Sequence, residues 1–190
     1  MIEILNVTKK YGEQTVLDNF SLTVNDGEKL TITGESGIGK TTLLRVLSGL
    51  ETVDSGNVIC NEKMAYMFQE PRLLPWKTVA ENICVMLKSE NYLLAQKYLN
   101  TVGLSDAADK HPSELSGGMA QRVSFARFLA YTEESGATLL LLDEPFSALD
   151  KDTADKMLKL LLDFAIDKTV ILVTHDKVAT EKLGGRVVKL

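Results

Sequence analysis

The chain has 190 residues, a formal charge of −5 from 21 basic and 26 acidic side chains, and 45% hydrophobic residues. A chain of this length buries roughly 70% of its unfolded surface and needs no disulfide or metal to be stable. The mild acidity argues against binding of a nucleic-acid backbone by bulk charge and leaves only a local basic patch as an alternative. The two cysteines, Cys60 and Cys84, are not spaced as in a metal-binding motif, and the chain has only two histidines. We therefore expect both cysteines to be reduced and partly buried.

The N-terminal segment is neither a signal peptide nor an apolar span, and no window of about 18 apolar residues occurs. We therefore expect a protein that is neither secreted nor membrane-spanning. Residues 1–33 alternate as three strands separated by turns at 10–13 and 25–27, and TTLLRVLSGL, which includes Leu50, predicts a helix. NVIC and MAYMF predict a short hairpin around NEK.

The next segments, TVAENICVML, NYLLAQKYLNTV and GMAQRVSFARFLA, predict helices. The runs ATLLLLDEP and TVILVTH are typical of strands covered on both faces, with a helix between them and the short strand RVVKL at the end. This order predicts an α/β fold with a mostly parallel sheet, an N-terminal antiparallel β part and a small helical lobe. A single domain is expected over 1–190, with the lobe at about 71–130 inserted in the core.

Residues 34–41, GESGIGKT, match the pattern G-x-x-x-x-G-K-[ST] between a predicted strand and a predicted helix. The backbone N–H groups of such a loop surround phosphates, Lys40 supplies a positive charge, and Thr41 offers a hydroxyl to Mg²⁺. The loop alone does not distinguish GTPases, small-molecule kinases and ATPases, but no [NT]KxD guanine-reading motif is present. The predicted phosphate-binding residues are Gly34, Glu35, Ser36, Gly37, Ile38, Gly39, Lys40, Thr41 and Thr42.

The buried run LLLLDEP ends in two carboxylates. Asp143 is placed to accept a hydrogen bond from Mg²⁺-bound water beside Thr41, and Glu144 is placed to polarise an attacking water as general base. Two carboxylates also end strands in ordinary turns, but the upstream phosphate loop favours the catalytic interpretation.

The segment LSGGMAQR at 115–122 begins as a capped helix whose free N–H groups suit an anion. Together with the phosphate loop and LLLLDEP, it resembles the signature motif of ABC-type ATPases. The resemblance covers essentially the whole chain. It implies that Ser116, Gly117 and Gly118 close over the γ-phosphate of ATP held by a second copy, and that ATP and Mg²⁺ are the cofactors.

The same resemblance assigns the remaining site residues. Tyr11 is similar to the aromatic residue that stacks on adenine, and Gln69 to the glutamine that reaches Mg²⁺ and the attacking water, which completes the metal set Thr41, Gln69 and Asp143. His175 matches the histidine that contacts the γ-phosphate, and Asp150 the aspartate that touches the opposite subunit. The predicted catalytic residues are Glu144, His175, Gln69 and Lys40. His111 is expected to be structural, and Arg122 and Arg127 to pair with local carboxylates.

The segment FQEPRLLPW at 68–76 resembles that of nitrate, sulfonate and taurine importers. The resemblance implies two copies that sandwich two ATP molecules and drive a separate membrane permease on the cytoplasmic face of the membrane, served indirectly by a solute-binding protein, with no nucleic acid. The apolar side chains of this segment suit a groove that receives a permease helix, or they simply pack the helical lobe.

Two alternatives remain. The first is a non-transport ABC-type ATPase acting on DNA or the ribosome, disfavoured because one cassette is present without a long coiled coil. The second is an ATP sensor without turnover, which needs neither Glu144 nor His175. The chain is shorter than most of the nitrate, sulfonate and taurine importer subunits that it resembles. In its phosphate loop, Glu35 and Ile38 replace the small or proline residues often found there.

Overall fold

The computed structural model describes residues 1–88 and 90–190. The strands are Ile2–Tyr11 (β1), Gln14–Val24 (β2), Lys29–Thr33 (β3), Ser55–Cys60 (β4), Met64–Met67 (β5), Leu139–Asp143 (β6), Thr169–Val173 (β7) and Arg186–Lys189 (β8). The helices are Lys40–Leu47 (α1), Val79–Cys84 (α2), Tyr92–Thr101 (α3), Gly117–Ser135 (α4), Lys151–Phe164 (α5) and Lys177–Leu183 (α6).

The chain divides into two compact units. Unit 1 comprises Met1–Met64, Thr138–Asp143 and Ala165–Leu190, and unit 2 comprises Ala65–Ala137 and Glu144–Phe164. The predicted helical lobe at about 71–130 lies within unit 2, and its boundaries as an insertion in a single domain stay a prediction.

Unit 1 contains an antiparallel sheet in the order β2-β1-β4. Ile2 pairs with Val24 on one side and with Cys60 on the other. The prediction that NVIC and MAYMF form a hairpin is wrong, because β4 pairs along β1 instead. Local alternation does not identify a strand's partner, and a long first strand offers β4 a full row of backbone groups.

The second sheet of unit 1 is parallel, with β6, β7, β3 and β8 as successive neighbours. Every residue of β6 and β7 is buried, as expected for parallel strands covered on both faces. Asp143 pairs with Val173, and Val173 pairs with Ile32, so β6, β7 and β3 end side by side. The α/β fold with a mostly parallel sheet and an antiparallel part is confirmed.

Unit 2 is built around helices α2, α3 and α4. Lys97 Nζ lies 2.7 Å from Glu133 Oε2, and the Tyr98 hydroxyl also donates to this carboxylate. The pair joins α3 to α4. All three segments predicted as helices contain one, but α2 ends at Cys84, before the VML of the predicted TVAENICVML helix. Thr78 and Glu81 cap α2 reciprocally, which stabilises the first turn of a short helix.

Two predictions from local patterns are corrected. Helix α1 ends at Leu47, so Leu50 lies beyond it and is 58% exposed. Gly49 adopts a φ of 70°, the left-handed conformation that commonly terminates helices. Helix α6 was not predicted, because its seven residues carry too short a pattern.

Both cysteines are free, as predicted, and Cys84 is buried. Burial raises the pKa of the Cys84 thiol, which keeps it protonated and unreactive at neutral pH.

Candidate active site

The loop GESGIGKT follows β3 and leads directly into α1. Gly34, Gly37 and Gly39 have φ values of 149°, 82° and 116°, a region that side chains rarely adopt. A Cβ on Gly39 would lie 2.7 Å from Val16 Cγ1 and 2.9 Å from the Val16 carbonyl oxygen. Glycine is therefore required here both by the backbone conformation and by close packing.

Lys40 is the first residue of α1 and is 7% exposed. Its Nζ donates to the carbonyl oxygens of Gly34 at 2.8 Å and Glu35 at 2.7 Å, so the ammonium group spans the loop. No side chain caps the N-terminus of α1, which leaves its first N–H groups to an anion. The loop therefore fits a phosphate chain. Thr41 and Thr42 are half-buried, and Ser36 and the departures Glu35 and Ile38 are exposed.

The phosphate loop, Asp143 and His175, all in unit 1, lie at the carboxyl edge of the parallel sheet. The phosphate loop follows β3, Asp143 ends β6 with 2% exposure, and His175 lies two residues after β7. His175 is exposed and lines a cavity of about 350 Å³ with Thr33, the residue before the loop. Ligands bind at this edge in open α/β sheets.

The metal prediction fits these side chains. Mg²⁺ is typically held by one or two carboxylates, hydroxyls and substrate phosphates, and Asp143 and Thr41 supply a carboxylate and a hydroxyl. Across residues 1–88 and 90–190 there is no cluster of three or more His, Cys, Asp or Glu side chains able to hold a metal alone.

Glu144 begins the second segment of unit 2 and has a φ of 45°. A non-glycine residue in this conformation is strained, and such strain concentrates at functional sites. A tight turn holds it, because its carbonyl oxygen accepts from Ser147 N at 3.3 Å and from Ser147 Oγ at 3.1 Å.

The predicted second phosphate contact lies at the start of α4. Ser116 caps this 19-residue helix by accepting from Met119 N at 3.2 Å, and Gly117 is its first residue. Gln121, which the sequence analysis missed, is 1% exposed and donates to the Pro145 carbonyl at 2.7 Å. This bond ties the signature helix to the turn that holds Glu144.

The other predicted residues are placed as follows. Tyr11 ends β1, is 44% exposed and has Lys9 Nζ 5.1 Å from its ring centre. Gln69 is exposed after β5 in unit 2. Asp150 accepts from Thr153 N at 3.0 Å, and this bond lowers the pKa of its carboxyl. Roles for Tyr11, Gln69 and Asp150 stay predictions.

Residues 71–78, which we name the docking loop, form no helix or strand. The side chain of Asn82 nevertheless fixes the loop by hydrogen bonds to its backbone. The Asn82 side chain is fully buried; it accepts from Leu74 N at 2.7 Å and donates to the carbonyls of Leu74, Lys77 and Thr78 at 2.9–3.1 Å. Trp76 is nevertheless 70% exposed. A rigid loop therefore presents a large aromatic side chain to solvent.

The prediction for the two arginines of α4 is corrected. Arg122 donates to the carbonyls of Val102 and Gly103, and Arg127 to those of Pro71 and Arg72, rather than to carboxylates. A guanidinium has five donors in a plane, which suits adjacent carbonyls of an irregular segment. Sequence spacing does not reveal such partners.

We expect Asn82→Asp to lower the free energy of unfolding by about 3 kcal/mol at pH 7, because a buried carboxylate would face three carbonyl oxygens. Circular dichroism during urea unfolding measures the change. Asn100→Asp is the matched control, since Asn100 is exposed and its side-chain Oδ1 accepts from Gln96 Nε2. Equal stability of the two variants would contradict the role of Asn82.

The comparisons with known proteins agree with this geometry. The model for the family described as ABC transporter matches residues 17–147. The chain belongs to the ABC transporter family. The aliphatic sulfonates import ATP-binding protein SsuB of Albidiferax ferrireducens is 42% identical over 96% of this chain and 68% of its own length. SsuB 2 of Agrobacterium fabrum is 43% identical over 98% of this chain and 74% of its own length.

Among solved structures, the dimeric ATP-binding cassette MJ0796 in a post-hydrolysis state with ADP and Pi has a TM-score of 0.89 and 31% identity. The similarity spans 100% of this chain and 94% of the MJ0796 chain. As an ABC ATPase, this chain uses ATP and Mg²⁺. The relatives do not support the DNA or ribosome alternative. None of the helices in the described part of this ABC cassette is long and apolar enough to cross a membrane.

Proposed function

We propose that this ABC ATPase is the energy-providing subunit of an importer for aliphatic sulfonates or similar small solutes such as taurine or nitrate. The proposed use of ATP rests on the carboxyl edge of the parallel sheet. There the phosphate loop follows β3, Asp143 ends β6 and His175 follows β7, and these strands are neighbours. The substrate class rests on the import proteins that the chain is similar to.

We assign the residues roles in hydrolysis. Lys40 and the loop N–H groups bind and orient the triphosphate, and Tyr11 stacks on adenine. Thr41, Gln69 and Asp143 would hold Mg²⁺, which would supply positive charge against the phosphates. Glu144 accepts a proton from the attacking water, and His175 donates a hydrogen bond to the γ-phosphate.

Two copies are proposed to share each ATP. Ser116 Oγ and the N–H groups of Gly117 and Gly118 begin a 19-residue helix, and such an N-terminus favours negative charge. In the proposed pair, these groups bind the γ-phosphate of the nucleotide held by the other copy.

The proposed partners are a membrane permease, which supplies the transport path, and a solute-binding protein that acts through it. The subunit would work on the cytoplasmic face of the membrane, where ATP is available. Transport of labelled taurine or an alkanesulfonate into vesicles carrying the permease and this subunit tests the substrate class, and the absence of ATP-dependent uptake of both solutes would contradict it.

The docking surface for the permease is proposed to lie on unit 2. A cavity of about 340 Å³, which we name the docking groove, is lined by Tyr66, Met67, Phe68, Arg72, Leu74, Val85, Met86, Ser124, Arg127, Phe128 and Tyr131. Val85 and Met86 are each 47% exposed. An apolar groove of this kind accepts the apolar face of a short helix.

We expect Trp76→Asp to weaken assembly with the permease at least about 30-fold, because exposed, rigidly held tryptophans commonly dominate interfaces. Co-purification from detergent and vesicle transport measure the loss. Leu93→Asp is the control, since Leu93 is 87% exposed on α3 and outside the docking loop. Normal assembly of the Trp76 variant would rule out the docking loop as the contact.

A further inference from the structure

Lys9, near the end of β1, is a charged side chain that is almost completely buried. It is 7% exposed, and its Nζ lies 2.8 Å from Glu51 Oε1. Like Val7 two positions earlier, it lies on the buried face of the strand. Lysine is almost never buried without a partner, so the ion pair with Glu51 is what permits this placement.

The buried ammonium group also covers one face of the Tyr11 ring. Lys9 Nζ lies over this ring, 5.1 Å from its centre, within the range of a cation–π contact. Hydrogen bonds from Lys9 and then from Tyr11 lower the pKa of the Glu51 carboxyl, which keeps this group ionised at neutral pH. Tyr11 is nevertheless 44% exposed. The ring is therefore held on one side and open on the other.

Glu51 connects this cluster to the helix that follows the phosphate loop. Its backbone N–H donates to the carbonyl oxygen of Arg45 at 3.2 Å, and Arg45 lies in the last turn of α1. Helix α1 begins at Lys40, the lysine of the phosphate loop. The carboxylate that pairs with Lys9 is thus attached to the same helix that places Lys40.

The segment after α1 also contacts the backbone of β1 on both sides of Lys9. Asp54 donates from its N–H to the Thr8 carbonyl oxygen at 2.9 Å, and its Oδ2 accepts from Lys10 N at 2.6 Å. The end of β1 that carries Tyr11 is therefore fixed to the segment that leads out of α1.

A second cluster of the same composition occurs in unit 2. Lys97 Nζ lies 2.7 Å from Glu133 Oε2 and 4.9 Å from the centre of the Tyr98 ring, and the Tyr98 hydroxyl donates to Glu133. Here the tyrosine is only 4% exposed, so its ring is closed to a ligand and the cluster joins two helices. The cluster around Tyr11 differs because it leaves a ring face accessible.

We propose that the ion pair of Lys9 and Glu51 positions Tyr11 for the nucleobase and thereby sets how tightly the adenosine part of the nucleotide binds. The inference rests on the stacking role of Tyr11 stated above and identifies the residues that make the stacking effective. Both are positioning residues, since they act on the base through the tyrosine ring. Neither belongs to the loop GESGIGKT, so affinity for the phosphates should not depend on them.

Positioning raises affinity because a ring that is already fixed loses little conformational entropy when a base stacks on it. The ammonium group occupies one face of the ring, which leaves the opposite face as the platform for a flat base. The attachment of β1 to the segment after α1 also fixes the distance between this platform and the phosphate loop. A nucleotide can therefore contact both without rearrangement of the chain.

The test compares ADP with inorganic pyrophosphate, which presents two phosphates without adenosine, in calorimetric titrations of the full chain with Mg²⁺. The variant combines Lys9→Met with Glu51→Gln, which removes both charges together, so no buried charge is left unpaired and the net charge of −5 is unchanged. We expect affinity for ADP to fall about fivefold, as when an immobilised side chain becomes free. Affinity for pyrophosphate, measured by competition, should equal that of the wild type.

Tyr11→Ala should lower affinity for ADP at least about tenfold, since it removes the stacking surface, and should leave pyrophosphate binding unchanged. Adding Lys9→Met and Glu51→Gln to Tyr11→Ala should cause no further loss, because the pair then has no ring to position. Lys97→Met with Glu133→Gln is the matched control. It removes the equivalent ion pair of the second cluster and should leave both affinities unchanged.

Wild-type affinity for ADP in the variant without the Lys9 ion pair, together with a loss in Tyr11→Ala, overturns the positioning role alone. Parallel losses of ADP and pyrophosphate affinity overturn it as well, because the pair would then support the phosphate loop rather than the ring. A further loss in the Tyr11→Ala background has the same meaning. Unchanged ADP affinity in Tyr11→Ala overturns the stacking role of Tyr11 and this inference with it, so the two failures are distinguishable.

Discussion

Glu144→Gln is expected to reduce ATP hydrolysis at least about 100-fold, because the side chain keeps its size but no longer accepts the proton of the attacking water. ATP should remain bound, since the phosphate loop and Lys40 are unchanged. With ATP trapped between two copies, the variant should elute from a sizing column as a dimer when ATP is present and as a monomer without it.

Each copy carries −5 and each ATP adds negative charge, so association depends on groups that bind the phosphates from both sides. Adding Ser116→Arg to Glu144→Gln places bulk at the second contact and should restore the monomer. Ser116→Ala in the same background controls for the lost helix cap, which costs about 1 kcal/mol. Glu13→Gln, in an exposed turn, should leave hydrolysis unchanged. A monomeric Glu144→Gln at high ATP would exclude the shared site.

Lys40→Ala is expected to lower ATP affinity at least about 100-fold. The ammonium group is the one full positive charge within the loop GESGIGKT, and charge-assisted bonds to phosphate are among the strongest polar contacts. The change also removes the donor that spans the Gly34 and Glu35 carbonyls.

Titration with a fluorescent ATP analogue measures the affinity of the Lys40 variant. Lys10→Ala, at an exposed lysine of β1, is the matched control and should bind normally. Unchanged affinity in Lys40→Ala would mean that this loop is not the principal phosphate site.

The sequence predicted features that depend on residues close together in the chain. The phosphate loop is one segment with a strand before it and a helix after it, and the buried run of β6 ends at Asp143. The cap of α4 by Ser116 also follows from its neighbours. These features could be predicted because local backbone geometry and residue type determine them together.

The features that were missed depend on distant partners. The pairing of β4 with β1 joins residues that lie far apart in the chain, such as Ile2 and Cys60. Arg127 binds carbonyls 55 and 56 positions away, and Gln121 binds the Pro145 carbonyl 24 positions away. Carbonyl oxygens exist at every residue, so the side-chain sequence does not indicate which one an arginine or glutamine binds.

The exposure of the only tryptophan has a spectroscopic consequence. Because Trp76 is 70% exposed in the folded chain, we expect its emission to resemble that of an indole in water and to change little on unfolding. The core consists mostly of aliphatic side chains and phenylalanines with the tyrosine Tyr98, and none of these emits in the wavelength range of tryptophan. Tryptophan emission therefore reports on the docking loop, while loss of folded structure is visible through backbone dichroism.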